Sequence, residues 1–178
     1  MSQPFVSTKK ALRRFRRNRR GSAAVEFALV APIFFALLFA ILETGIVFFA
    51  GQVLESVTQD SARTIMTGQA QTAALTQAQF KTNVCSRISV LFDCASGIYV
   101  DVRSYSAFAS VDVTAPIDAN GNFQNNMQYS PGGPGDIVVV RLFYQWPLIV
   151  TGLGYNIANL NNSKRLLTAT AAFKNEPY

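Results

Sequence analysis

A long apolar stretch near the amino terminus is the feature that most restricts what this chain can fold into. The sixteen residues Phe27–Leu42 contain no charged or strongly polar side chain, and apolar residues resume at Ile46–Ala50 after a break at Glu43. As a single helix, Phe27–Phe49 would rise about 33 Å, close to the ~30 Å thickness of the hydrocarbon core of a bilayer. The sequence therefore predicts one membrane-spanning helix, which we assign to residues 22–50.

A strongly basic leader precedes this stretch, and it holds eight of the sixteen basic residues of the chain and no acidic one. From Gly21 onward eight basic residues face ten acidic ones, so the leader alone makes the net charge of the chain, +6, positive. The positive-inside rule predicts that the leader lies in the cytoplasm and that residues after about 51 lie across the membrane, in the periplasm of a bacterial cell. The residues of the leader that we assign to topology are Arg13, Arg14, Arg16, Arg17, Arg19 and Arg20.

Two other interpretations of the amino-terminal region are weaker. A nucleic-acid-binding arm would carry interleaved aromatic side chains, but the basic cluster contains only Phe15 and adjoins a membrane span, so we expect no nucleic-acid partner. A cleaved secretory signal has an apolar core of ~7–15 residues and a small-x-small cleavage site, whereas this stretch is longer and Ala50 has Phe48 two positions before it.

Composition excludes several classes of function. The hydrophobic content of 49% with 15% charged residues is unlike that of a disordered chain, and 178 residues suit one domain of ordinary size. Histidine is absent and only two cysteines are present, which excludes the usual zinc sites and any nucleophile activated by a histidine base. No set of nucleophile, base and orienting group is recognisable, so we expect a protein without catalysis, cofactor or metal.

A short motif joins the leader to the span. Arg19-Arg20-Gly21 is followed by Glu26 at the fifth position after the glycine, directly before the apolar run. This arrangement resembles the processing site of type IV prepilins. The longer run Gly-Ser-Ala-Ala-Val-Glu-Phe-Ala-Leu-Val-Ala-Pro, which begins at Gly21, resembles the TadE-like family of pseudopilins or minor pilins of Tad (Flp) pilus systems. Weaker similarity extends over nearly the whole chain.

The resemblance implies a function and a set of partners. A prepilin peptidase would cut between Gly21 and Ser22, and the mature protein would pack by its helix against other pilins, pseudopilins and the Tad assembly platform of the inner membrane. Phe27 stands where major Flp pilins have tyrosine, which favours a minor component. The implied organisation is a leader over 1–21, a span over 22–50 and a periplasmic domain over 51–178. The alternative is an unprocessed single-span membrane protein whose periplasmic domain serves as a scaffold or adhesin.

Glu26 and Glu43 receive different interpretations. An ionised carboxylate inside hydrocarbon costs about 2.5–3.5 kcal/mol on insertion scales, so Glu26 needs a cation. After cleavage that cation would be the new amine of Ser22, one helical turn away in the same chain, or, as the resemblance implies, the amine of a neighbouring subunit. We expect Glu43 to lie near the outer headgroups with no function, and Pro32 to kink the helix.

The rest of the chain predicts an α+β, pilin-like domain. The helix should run from about Ala23 to Thr67, with Gly68 as its cap, and a second helix should span about Leu75–Phe92. Strands are predicted at Ile98–Arg103, around Val111 and Val113, within Asp136–Tyr144 and at Arg165–Phe173, with turns or loops at Asn120-Gly121 and Pro131–Gly135. Helices followed by strands indicate a small antiparallel sheet.

Cys85 and Cys94 fall in the part of the chain that we place outside the cytoplasm, where disulfides persist. A disulfide is therefore the first expectation, and free thiols or a redox pair are the alternative. Within one continuous helix the two Cα atoms would be about 13.5 Å apart, beyond the ~7 Å limit for a bridge. The bridge thus requires the second helix to end before Cys94.

Overall fold

The computed structural model describes residues 21–94, 96–150 and 155–178. The leader arginines assigned to topology lie outside these ranges. The chain divides into two compact units, one ending at Ile41 and the other beginning at Leu42.

The first described element is a long helix, α1, which covers Ser22–Met66. It agrees with the predicted helix from about Ala23 to Thr67, and it contains Pro32 without ending there. Gly68 follows with φ of 75°, the left-handed conformation that suits glycine at a helix end, so the predicted cap is confirmed. The ring of Tyr178 occupies the space where a side chain at position 68 would lie.

In the second unit, α1 buries one face against the domain. Ala50, Leu54 and Ile65 are fully buried, and the hydroxyl of Thr58 donates to the carbonyl of Leu54 at 2.7 Å. Small and apolar residues at intervals of three and four produce this face.

Two shorter helices follow: α2 covers Gln69–Thr72 and α3 covers Gln77–Ile88. Thr76 begins α3 through a capping box, in which its hydroxyl accepts from the backbone N–H of Gln79 and the side chain of Gln79 accepts from the backbone N–H of Thr76. The predicted second helix, Leu75–Phe92, is therefore correct in place and too long at its carboxyl end. Phe80, Val84 and Ile88, which recur at helical spacing, form the buried face of α3.

Three strands form one antiparallel sheet in the order β1-β2-β3. The strands are β1 at Ile98–Tyr105, β2 at Ile137–Pro147 and β3 at Lys164–Lys174. At one end of the sheet Ile98 pairs with Tyr144, and at the other Ile137 pairs with both Tyr105 and Lys174. The run Ile137–Phe143 is buried throughout, as predicted for a central strand. The fold is thus α+β, with a long amino-terminal apolar helix.

The predicted strand around Val111 and Val113 is wrong. This region holds a 3-10 turn at Phe108–Ser110 and then irregular backbone, and Val113 is 60% exposed. The position beside β1 is taken instead by residues 128–130, because the N–H of Val102 donates to Gln128 and its carbonyl accepts from Ser130. The predicted turn at Asn120-Gly121 is present, with Gly121 at φ of 78°.

The disulfide between Cys85 and Cys94 is present, with Cα atoms 5.6 Å apart. Because α3 ends at Ile88, the chain can turn back within the five residues between Ile88 and Cys94. The bridge joins the last turns of α3 to the segment that leads into β1.

Candidate functional site: the exposed half of the long helix

Gly21, Ser22 and Glu26 lie at the start of α1, on its exposed surface. Gly21 directly precedes the first residue of α1, and among the described residues no other segment lies within 4 Å of where its side chain would be. The hydroxyl of Ser22 donates to Oε1 of Glu26 at 2.9 Å, one helical turn away. The structure therefore brings Ser22 and Glu26 together, and within the described ranges no other segment lies against Gly21.

The helix surface that follows is apolar and uncovered. Phe27 is 67% exposed and Leu29 71%, and the other large apolar side chains up to Leu42 are also exposed. By length and composition α1 can cross a membrane. A surface of this size and composition needs lipid or other apolar helices around it.

Glu43 does not have the surroundings that the sequence suggested. It is 8% exposed and accepts hydrogen bonds from the backbone N–H groups of Ile149, at 2.5 Å, and Val150, at 3.1 and 3.2 Å. The next residue, Thr44, is hydrogen-bonded to the hydroxyl of Tyr155. The expectation that Glu43 has no role is therefore corrected, because its carboxylate holds the segment after β2 on the helix.

The model of the family described as TadE-like protein matches residues 21–63. We call these residues the TadE-like segment because of this similarity. The match begins at Gly21 and runs through the span into the buried face of α1, which confirms the resemblance drawn from the motif.

The TadE-like segment covers about a quarter of the chain, and the weaker similarity noted for the later residues lies beyond the match. No curated protein and no solved structure matches the chain. The similarity to a known family therefore lies in this segment. The role of the domain follows from its own contacts.

The domain contains a buried ionic cluster that the sequence did not reveal. Asp101 on β1 is fully buried and contacts Nη2 of Arg141 on β2 at 2.6 Å and Nε of Arg103 at 3.0 Å. The backbone N–H of Gln128 also donates to Asp101, and Arg141 donates to the carbonyl of Thr114. Asp101, the acid of this cluster, is buried from solvent. Its bond to Gln128 and the bond from Arg141 to Thr114 attach the long connection between β1 and β2 to the sheet.

Three groups of the domain have shifted pKa values. The pKa of Asp118 lies below its usual 3.8 because the backbone and side chain of Asn122 donate to its carboxylate. Thr114 lowers the pKa of Asp112 in the same way, through its side chain and backbone N–H, and burial raises the pKa of Tyr129. Within the described ranges, no group of three or more acidic, cysteine or histidine side chains is placed to hold a metal ion.

Proposed function

We propose that the chain is a pseudopilin or minor pilin of a Tad (Flp) pilus, which is cleaved by a prepilin peptidase between Gly21 and Ser22 and acts in pilus assembly without catalysis. The observation that carries the proposal is the TadE-like match that starts at Gly21, at the head of an exposed apolar helix. The mature protein would be a single-pass protein of the bacterial inner membrane with a periplasmic domain. It could then enter the fibre, support adhesion or serve secretion.

The geometry around Gly21 supports processing. The proposed cleavage point lies where the α-helix begins, since Gly21 has 3-10 conformation and Ser22 is the first residue of α1. No side chain at Gly21 narrows access to the bond. Cleavage would remove the eight basic residues of the leader and leave ten acidic against eight basic side chains, so the topology signal would be discarded after insertion.

The contact between Ser22 and Glu26 supports the assembly role. Cleavage creates a positively charged amine on Ser22, whose hydroxyl already lies 2.9 Å from Glu26. An ion pair away from water is stronger than the same pair in water, and an unpaired carboxylate in hydrocarbon is costly. We propose that Glu26 pairs with the amine of a neighbouring subunit in the assembled state, which sets the axial register, while Phe27 and the apolar residues after it pack on neighbouring helices.

The partners follow from this role: the prepilin peptidase, other pilins or pseudopilins, the Tad assembly platform in the inner membrane, and the lipid bilayer. The exposed apolar surface of α1 begins next to Glu26. On assembly this surface can exchange contacts with lipid for contacts with neighbouring helices, and the domain need not change its structure. No cofactor is needed for such a process.

Two variants test the proposal in cells that assemble Tad pili. Gly21→Leu should accumulate the uncleaved precursor, because the added side chain obstructs the cleavage point. Glu26→Ala should still be cleaved but should reduce the amount of protein in the sheared pilus fraction or the number of pili. Glu55→Ala serves as the control, since Glu55 lies on the same helix and bonds only to Gln59 at the surface. Normal piliation with Glu26→Ala would contradict the pairing, and normal function without cleavage would favour the single-span scaffold.

A further inference from the structure

The end of β2 and the residues after it form an apolar loop, Pro147–Val150, which contacts α1 at Glu43. Ile149 is 90% exposed, whereas Leu148 packs partly against the core. The run Trp146–Val150 carries no charge, and Trp146 is the one tryptophan of the sequence. A large aliphatic side chain that is almost fully exposed on an uncharged segment needs an explanation.

The position of this loop along the helix supplies one. Beyond Glu43 the exposed face of α1 stays apolar through Phe48 and Phe49, which are 70% and 62% exposed, and Gln52 is the next exposed polar residue. Glu43 lies six residues before Phe49 and nine before Gln52, or about 9 Å and 13 Å along the axis. The interfacial layer on each side of a bilayer is only ~5–8 Å thick. The loop is therefore attached to the helix below the level at which its exposed surface becomes polar.

The hydrogen bonds of the loop fit such surroundings. Backbone N–H groups in a bilayer have to be satisfied by the protein itself. Pro147 has no N–H, Leu148 donates to the carbonyl of Ser163 at 3.3 Å, and Ile149 and Val150 both donate to the carboxylate of Glu43. Four consecutive residues thus leave no backbone donor unpaired.

We propose that Pro147–Val150 is a second lipid-contacting element, in which the side chain of Ile149 enters the outer leaflet beside the span and Glu43 holds the loop at that depth. The partner is the lipid bilayer. The inference rests on the membrane span of the proposed function and adds a fixed orientation: two attachments, at α1 and at the loop, limit rotation of the domain about the helix axis.

Labelled single-cysteine variants of the full chain test this element, because both native cysteines are bonded to each other. Ile149→Cys, Phe48→Cys and Phe108→Cys would each carry an environment-sensitive fluorophore in phosphatidylcholine vesicles at low protein-to-lipid ratio, with and without lipids spin-labelled on the acyl chain. Phe48 reports the span. Phe108 is a matched control, since it is 59% exposed and lies just after Tyr105. Tyr105 is at one end of the sheet, and Tyr144, near the loop, is at the other end.

The expected result is that the labels at 149 and 48 lose most of their emission to the spin-labelled lipid while the label at 108 keeps it. Quenching at 48 without quenching at 149 would overturn the inference and leave the span intact. Quenching at neither position would overturn both, and quenching at all three would show a general association of the domain with the surface, which also contradicts a specific loop. If the fluorophore at 149 is buried from water only at a high protein-to-lipid ratio, the loop contacts a second copy of the chain and the inference is wrong. If Ile149→Cys does not fold, Pro147→Cys, also at an exposed position, replaces it.

Discussion

Asp101 and Arg141 form a buried ion pair across β1 and β2, with Nη2 and the carboxylate 2.6 Å apart. The side chains are 0% and 5% exposed, and both also hold backbone groups of the connection between the two strands. Such a pair is costly to bury but much more costly to break, because the remaining charge has no partner. The pair therefore holds the connecting segment against the sheet.

Loss of the acid should destabilise the domain. Asp101→Ala leaves the guanidinium of Arg141 buried without its carboxylate, and we expect a loss of about 3–5 kcal/mol in the free energy of unfolding. Asp60→Ala is the matched control, because its pair with Arg87 is at the surface, with side chains 65% and 45% exposed, and should contribute only about 0–1 kcal/mol. Denaturant unfolding of the full chain in detergent, followed by near-UV circular dichroism, measures both. Equal effects of the two substitutions would contradict the role of the buried pair.

The disulfide should stabilise the domain by restricting the unfolded chain. For a loop of about ten residues the chain-entropy estimate is ~2–3 kcal/mol, and we expect Cys85→Ser with Cys94→Ser to lose about this amount. The reduced wild-type protein should be destabilised to a similar extent. If the double variant matched the oxidised protein in its denaturation midpoint, the bridge would have no structural role.

Glu43 should control the backbone of the loop after β2. Glu43→Leu leaves the N–H groups of Ile149 and Val150 without their acceptor, at a cost of at most about 1–3 kcal/mol, the value for a buried unpaired group, because these contacts are only partly buried. At ~1.4 kcal/mol per tenfold change, their hydrogen exchange should accelerate by about tenfold to a hundredfold. Glu43→Gln keeps an acceptor oxygen and should show a smaller change, while Glu55→Leu on the same helix should show none. Unchanged exchange of both amides in Glu43→Leu would contradict the contact.

The Asp118 turn should depend on pH. Because the folded pKa is lowered by hydrogen bonds from Asn122, the ionised carboxylate stabilises the turn above the unfolded pKa near 3.8, and this contribution is lost as pH falls through the lower folded value. The stability difference between wild type and Asp118→Ala should therefore shrink on acidification. The amide resonances of Asn120 and Asn122, which donate to Asp118, should titrate below pH 3.8. Titration of those resonances above 3.8 would be evidence against these bonds.

Short sequence patterns predicted most of the helices and strands, because each pattern reflects which face of one element is buried. The alternation at Ile98, Val100 and Val102 and the helical spacing of Phe80, Val84 and Ile88 both correspond to buried faces. At the site, the motif from Gly21 to Glu26 identified the segment that the TadE-like match covers. A short pattern was sufficient for each prediction, since each pattern lies within a single helix or strand.

Long-range contacts were not predictable in the same way. Asp101 sits at an alternation position that predicts exposure, and only its partner forty residues later, Arg141, explains its burial. Glu43 appeared to be an interfacial acid because its partners, Ile149 and Val150, are backbone groups more than a hundred residues away. Val113 has a residue pattern suited to a strand, but the position beside β1 is already taken by another segment.

The amino terminus of the protein in isolated membranes tests the central claim most directly. In cells with an active prepilin peptidase, intact-mass and amino-terminal sequence analysis should find a chain that begins at Ser22 and lacks the basic leader, whereas cells without the peptidase should retain the leader. A chain that keeps residues 1–21 in the presence of the active peptidase would contradict the account of this protein as a processed pseudopilin.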